Sequence, residues 1–196
     1  MPLGANKAAI MGVAGTAAAG DVVLILSQTA TSDTTLDFTS GIDSTYGEYI
    51  FKFYNCNGET DDRYFQIEFS DDGGSSFEVT KTTTDLVAQN NEAGHSEELS
   101  YNDAMDLAQS TDAQRIVHGA GSAADESSIG EVHLFNPAST TYVKHFLIET
   151  TTNHYAGTHR HAFTAGYCNT TSAINGVRFS FSEGDFDGTI KMWGVK

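Results

Sequence analysis

Glu48–Asn55 reads EYIFKFYN, and a little further on Tyr64–Ser70 reads YFQIEFS. In the first, Tyr49, Phe51 and Phe53 fall on one face while Ile50 and Lys52 take the other. In the second, Phe65, Ile67 and Phe69 align in the same way. A period of two with bulky side chains on one face is the pattern of a strand that buries one side against a core. Between Tyr64–Ser70 and the next apolar run, Phe77–Thr80, lies Asp71-Asp72-Gly73-Gly74-Ser75, a dense turn signal that predicts a β-hairpin.

The same period continues outward in both directions. Val22–Ser27 and Leu36–Thr39 precede the two deciding runs. Arg115–His118, Ile129–Phe135, Tyr142–Thr151, Arg160–Cys168, Val177–Ser182 and Thr189–Val195 follow them. Ten or eleven strands separated by turn clusters predict an all-β fold, an antiparallel two-sheet β-sandwich of jelly-roll-like type. In the closing strands, Val177, Phe179 and Phe181 are expected in the core. After the Asp187-Gly188 turn, Ile190, Met192 and Gly194 are expected to share a face. Residues 82–98 are polar and read as a long excursion. Tyr101–Ser110 predicts one short helix, with Asn102 or Ser100 as N-cap and Met105 and Leu107 as its apolar side. No repeat of 20–50 residues is evident, which argues against a propeller or solenoid.

Residues 1–20 are rich in Gly and Ala with few bulky side chains, so they read as an extended N-terminal arm, and 21–196 as the β-sandwich domain. An attachment or inter-subunit role is the expectation for the arm. It has no continuous apolar h-region, so it does not read as a secretion signal. A chain of 196 residues with 12 Phe and 8 Tyr can bury a real core. Its 26 acidic and 10 basic side chains give a formal charge of −16. Such a surface repels phosphate, which argues against nucleic acid and anionic membranes as partners. No apolar run is long enough to predict a membrane span. Cys56 and Cys168 are too few for a disulfide framework; they read as buried thiols, with a single disulfide as the alternative.

Candidate chemistry is sparse. His159 and His161, at i and i+2, point the same way on a strand and make a candidate metal pair if a third ligand such as His133 or His145 joins them. Asp71 and Asp72 are candidate calcium ligands, although their spacing matches no EF-hand loop. There is no Gly-x-Ser-x-Gly elbow, and adjacent acids such as Asp61/Asp62 and Glu97/Glu98 point to opposite faces of a strand. The sequence therefore predicts neither catalytic residues nor a cofactor. Tyr46, Tyr54, Tyr155 and Trp193 are candidates for stacking on sugars, or for ordinary packing.

Two resemblances add to this. Ser70, Asp72, Gly74, Ser76 and Phe77 fit the pattern Ser-x-Asp-x-Gly-x-Ser-aromatic, which resembles the Asp box, a structural turn of sialidases and other β proteins. The segments Phe38–Tyr46, His133–Phe146, Gly166–Asn175 and Asp187–Lys196, with the start Met1–Lys7, together resemble uncharacterised virion proteins of tailed bacteriophages of marine bacteria. That likeness covers most of the chain and is weakest over 82–98 and 111–128. It implies a non-enzymatic virion structural protein, placed on the tail and its fibres or on the capsid as a decoration. The partners it implies are other copies of the chain, with a trimer favoured, and other virion proteins. A carbohydrate-binding module or receptor-binding domain recognising host surface glycans is the alternative.

Overall fold

A computed structural model describes residues 21–95 and 97–196; the predicted arm, residues 1–20, lies outside them. Twelve strands follow one another: β1 (Val22–Asp33), β2 (Thr35–Phe38), β3 (Glu48–Gly58), β4 (Arg63–Ser70), β5 (Lys81–Asn91), β6 (Glu98–Tyr101), β7 (Gln114–Ala120), β8 (Ser128–Phe135), β9 (Lys144–His154), β10 (Thr158–Cys168), β11 (Gly176–Phe181) and β12 (Phe186–Val195). Every pairing between them is antiparallel.

Two sheets result. A back sheet has the order β2-β11-β4-β7, and a front sheet the order β1-β12-β3-β8-β9-β10-β5-β6. They meet through the bridge Ala120↔His154, which nearly closes the whole into a sandwich-like shell. The orders β1-β12-β3-β8 and β2-β11-β4-β7 place consecutive strands alternately in the two layers, a jelly-roll-like arrangement. Strands β9, β10, β5 and β6 widen the front sheet beyond its back.

The alternations set the core. Tyr49, Phe51 and Phe53 from β3 meet Phe65, Ile67 and Phe69 from β4, with Val177 and Phe179 from β11 and Ile190 and Met192 from β12, all buried. Phe65 is the hub: its ring lies 5.2 Å from Phe53, 5.1 Å from Phe181, 5.6 Å from Phe186 and 5.9 Å from Phe179. Cys56 and Cys168 are both buried and free, and burial pushes each thiol up to about 12. Both are inert thiols at neutral pH.

The short helix expected over Tyr101–Ser110 is absent; among the described residues there is no helix. Tyr101 instead ends β6, paired with Leu86. The following backbone is drawn to β5: Leu107 donates its N–H to the Thr83 hydroxyl at 2.8 Å, and Thr83 donates its N–H to the Leu107 carbonyl at 2.9 Å. With partners on a neighbouring strand, these groups have no need of the i to i−4 ladder that a helix supplies. The polar excursion 82–98 likewise becomes a hairpin of β5 and β6. Phe77–Thr80 forms no strand, although Val79 donates to the Phe69 carbonyl at 3.4 Å.

The Asp71–Ser75 turn is built as its side chains suggest. Asp72 Oδ1 accepts from the Ser70 hydroxyl at 2.8 Å and the Ser76 N–H at 2.9 Å, and its Oδ2 accepts from the Ser76 hydroxyl at 2.9 Å. These bonds hold the Asp72 carboxyl below its usual range, with the Ser76 N–H the largest cause. Gly74 has φ +89°, and a Cβ there would come 2.4 Å from Thr39 Cγ2. Phe77 tucks beneath, with the Arg178 guanidinium 4.0 Å over its ring. Ser70 is fully buried and also accepts from the Gly74 N–H at 2.9 Å. Replacing Ser70 by Ala leaves that donor unpaired, and a loss of about 1–2 kcal/mol in urea unfolding is expected; an unchanged midpoint would show the turn to be dispensable.

Candidate functional site

The outer face of the front sheet carries the densest set of polar and apolar groups. Register fixes its rows. Across β3, β8, β9, β10, β5 and β6, one row runs Lys52, Glu131, Glu149, Phe163, Leu86, Tyr101. On one side of it runs Ile50, His133, Leu147, Ala165, Thr84, and on the other Ile129, Thr151, His161, Ala88, Leu99.

Two carboxylates stand opposite each other at the centre, Glu131 on β8 and Glu149 on β9. Like charges in directly facing positions destabilise a sheet, and here cations and imidazoles offset the repulsion. Lys52 Nζ lies 2.8 Å from Glu131 Oε2, and His133 Nε2 lies 3.1 Å from Glu131 Oε1. The Lys52 contact, then His133, hold the Glu131 carboxyl below its usual range. The other nitrogen of His133 is bonded to Glu48. Burial by itself would lower the His133 pKa, but the bonds to Glu48 and Glu131 outweigh it and raise it. His161 Nε2 lies 2.8 Å from Glu149 Oε1, and its ring packs 4.3 Å from Phe163.

Three hollows run in line across this face. The first, of about 430 Å³, is bounded by Lys52, Tyr54, Ile129 and His161. The second, of about 310 Å³, is bounded by Leu86, His133, Leu147 and Phe163, and shares Glu131 and Glu149 with the first. The third, of about 290 Å³, adds His145 and Tyr167 and shares Leu147 and Ala165 with the second. Together they make one open trough.

No family model matches this chain, and no curated protein does either. Among solved structures, the marine PL-14 alginate lyase from Aplysia kurodai is similar over 80% of this chain and 72% of that one, at 11% identity and a TM-score of 0.29. A likeness that slight carries no argument about function.

The residues singled out from sequence fall in several places. His159 and His161 do share the outer face of β10, but His159 is bonded to Asn153 Oδ1 at 2.9 Å and His161 to Glu149. His133 and His145 lie on adjacent strands, yet His133 faces Leu147 and His145 faces Tyr167. Among the described residues no three His, Cys, Asp or Glu side chains converge as a metal would need. Asp72 spends its oxygens on the turn. Tyr54 borders the trough, with Lys191 Nζ 5.4 Å from its ring. Tyr46 packs edge-on to Tyr49, at 5.8 Å, and Tyr155 lies 4.4 Å from His154.

Sequence reading missed Glu131, Glu149, Lys52 and Phe163. A usable signal was present: β8 and β9 carry apolar residues on both faces, as in Phe146-Leu147-Ile148, where a solvated outer face calls for polar ones.

A second cluster closes the seam between the sheets. Arg160 is bonded to His118 and donates its Nε–H to Gln89 Oε1 at 3.1 Å; Tyr64 stacks on His118 at 5.3 Å. His154 accepts the Ala156 N–H on Nδ1 at 3.1 Å. Burial first, then Arg160 and His118, lower its pKa to about 4. Gly119, at φ +64°, is required here, because a Cβ would come 2.2 Å from His154 Nε2.

Proposed function

We propose that the chain is a non-enzymatic structural protein of a bacteriophage virion. It is displayed on the particle as a tail or fibre component or as a head decoration, and works as a symmetric homo-oligomer. One observation carries the reading. Eleven large hydrophobic side chains are exposed among the described residues, and all but Tyr142 and Tyr155 stand on the outer face of the front sheet. A face so biased is made to meet something. The sequence resemblance to virion proteins supplies the setting, and the charge of −16 keeps crowded copies soluble.

Strand β1 supports assembly. It forms one edge of the front sheet, and from Val22 to Ser32 it carries no charged residue. Edge strands are ordinarily protected from pairing by charge, proline or a bulge that twists the edge away. This one has bulges between Leu24 and Leu26 and between Ala30 and Asp33, but no charge before Asp33 at its end to repel a second copy.

Quantitative mass spectrometry of purified particles, with native mass spectrometry of the recombinant chain, tests the proposal. Hundreds of copies per particle mean a decoration, a few tens or fewer mean the tail, and absence from particles or a monomer at high concentration sinks it. A decoration role further predicts that deleting Met1–Gly20 abolishes attachment while the remaining domain stays folded. Full occupancy by the truncated chain would exclude the arm as the anchor.

A second reading, recognition of a surface glycan by the same chain, is favoured by the polar centre of the outer face, where carboxylates and imidazoles lie among apolar side chains.

A further inference from the structure

We infer that the trough over β3, β8, β9, β10 and β5 is a binding site for a linear, uncharged oligosaccharide. This rests on the glycan reading just given and does not depend on where in a particle the chain sits.

Shape comes first. The three hollows are continuous across five adjacent strands, and at about 4.8 Å per strand spacing this gives roughly 19 Å of open channel. That length suits an extended oligomer better than one small molecule, and the channel is open along its side, so a chain can lie in it without threading.

The lining is amphipathic in the way a sugar is. A pyranose offers C–H faces and a rim of hydroxyls. Phe163 and Tyr54 supply exposed ring surface, and Leu147 and Ile129 supply aliphatic surface. Between them Glu149 keeps an oxygen available: its Oε1 is bonded to His161, and among the described residues no hydrogen bond reaches its Oε2. A carboxylate held in place by an imidazole is a ready acceptor for hydroxyl donors, and charge-assisted bonds of this kind are about twice as strong as neutral ones.

Charge narrows the ligand. Lys52 is already paired with Glu131, and the imidazoles of His133 and His161 are each committed to carboxylates. Among the described residues the one ammonium near the trough without a carboxylate partner is Lys191, at its far end beside Lys52 and Tyr54. A single end-placed cation does not offset the carboxylates of the trough or the −16 of the chain as a whole. A polyanion is therefore repelled. Within the trough a second copy of the chain is disfavoured as occupant for the same reason, because it would bring its own acidic surface against Glu48, Glu131 and Glu149, which leaves the β1 edge for self-assembly.

The test is isothermal titration calorimetry of the full chain against linear neutral hexasaccharides (β-1,3-glucan, β-1,4-glucan, β-1,4-mannan and α-1,6-glucan), with hexaguluronate as the polyanionic control. Saturable binding to at least one neutral member is expected, with no tighter binding of the control. Phe163→Ala and Glu149→Gln should each weaken it about tenfold or more, and because both side chains are exposed the unfolding temperature should hold. Four results overturn the inference: no heat with any neutral oligosaccharide, binding indifferent to both substitutions, preference for the polyanion, or dissociation of an oligomer by Phe163→Ala, which would make the face a subunit contact. New reducing ends that vanish in Glu149→Gln would replace binding by hydrolysis. Absence of the chain from particles, with sugar binding intact, would remove the virion reading and leave the trough standing.

Discussion

Phe65→Ala is expected to cost about 4 kcal/mol in urea unfolding, near the upper part of the usual range for truncating a buried phenylalanine. Phe65 is fully buried on β4. Its ring is shared by both sheets: Phe53 comes from the front sheet on β3, Phe179 and Phe181 from the neighbouring back strand β11, and Phe186 from the start of β12. Truncation opens a void that none of these rings can fill alone, since each is fixed by its own strand register. It also removes several edge and stacked pairs, each worth about 0.5–1.5 kcal/mol beyond area burial. Domains of this size have only about 5–15 kcal/mol in hand, so the variant should sit close to the threshold of folding. Phe163→Ala is the matched control, because it deletes the same atoms from an exposed ring, and a change within about 0.5 kcal/mol is expected there. A Phe65→Ala loss as small as the control's would mean that the two sheets do not share this core.

The contrast between those rings also shows what the sequence made legible. Wherever one face of a strand is aromatic and the other polar, alternation sufficed. Tyr49, Phe51, Phe53, Phe65, Ile67 and Phe69 are all buried as read, and so are Val177, Phe179, Phe181, Ile190, Met192 and Gly194. The reading failed where the buried face is itself polar. Strand β5, KTTTDLVAQNN, buries Lys81, Thr83 and Asp85, which resembles a loop in composition because its partners are hydrogen-bonding groups of distant segments. The misread helix at Tyr101–Ser110 has the same origin, since its backbone donors go to β5. The apolar outer face could be read from Phe146-Leu147-Ile148, but the polar centre of the trough could not, for another reason. Glu131 and Glu149 become neighbours only through the β8–β9 register, and register depends on turns and burial across the whole sheet.

That buried polar half of the front sheet leads to the second large effect, a pair of opposed pH dependences. Asp85 is 1% exposed, and among the described residues no donor meets either of its oxygens in good hydrogen-bond geometry. The Thr164 hydroxyl beside it helps the charged form a little, but burial dominates and raises the carboxyl to about 7. Between pH 4 and 7 the folded state therefore holds a proton that the unfolded state has released, and stability falls as pH rises through this window. Over roughly three pH units the loss is on the order of 4 kcal/mol. His154 works in the opposite sense. Its folded pKa of about 4 lies below the ordinary 6.5, so its contribution is full above 6.5 and is lost as pH falls toward 4, on the order of 3 kcal/mol. In the parent chain the two slopes largely cancel between pH 4 and 6.5. Separating them is the test. Asp85→Asn should be more stable than the parent at pH 8 and lose that advantage by pH 5, with the His154 slope left bare, so that it weakens steeply on acidification. His154→Gln should show the reverse: the acid-side loss is gone and the Asp85 slope is left bare, so stability declines as pH rises from 4 to 7. Urea titrations of the three proteins at half-unit steps, read as differences from the parent, cancel His133 and the other shared groups. Parallel curves for Asp85→Asn and the parent would mean that Asp85 is solvated and ionised in the folded chain, and that the inner face of β5 is open to water.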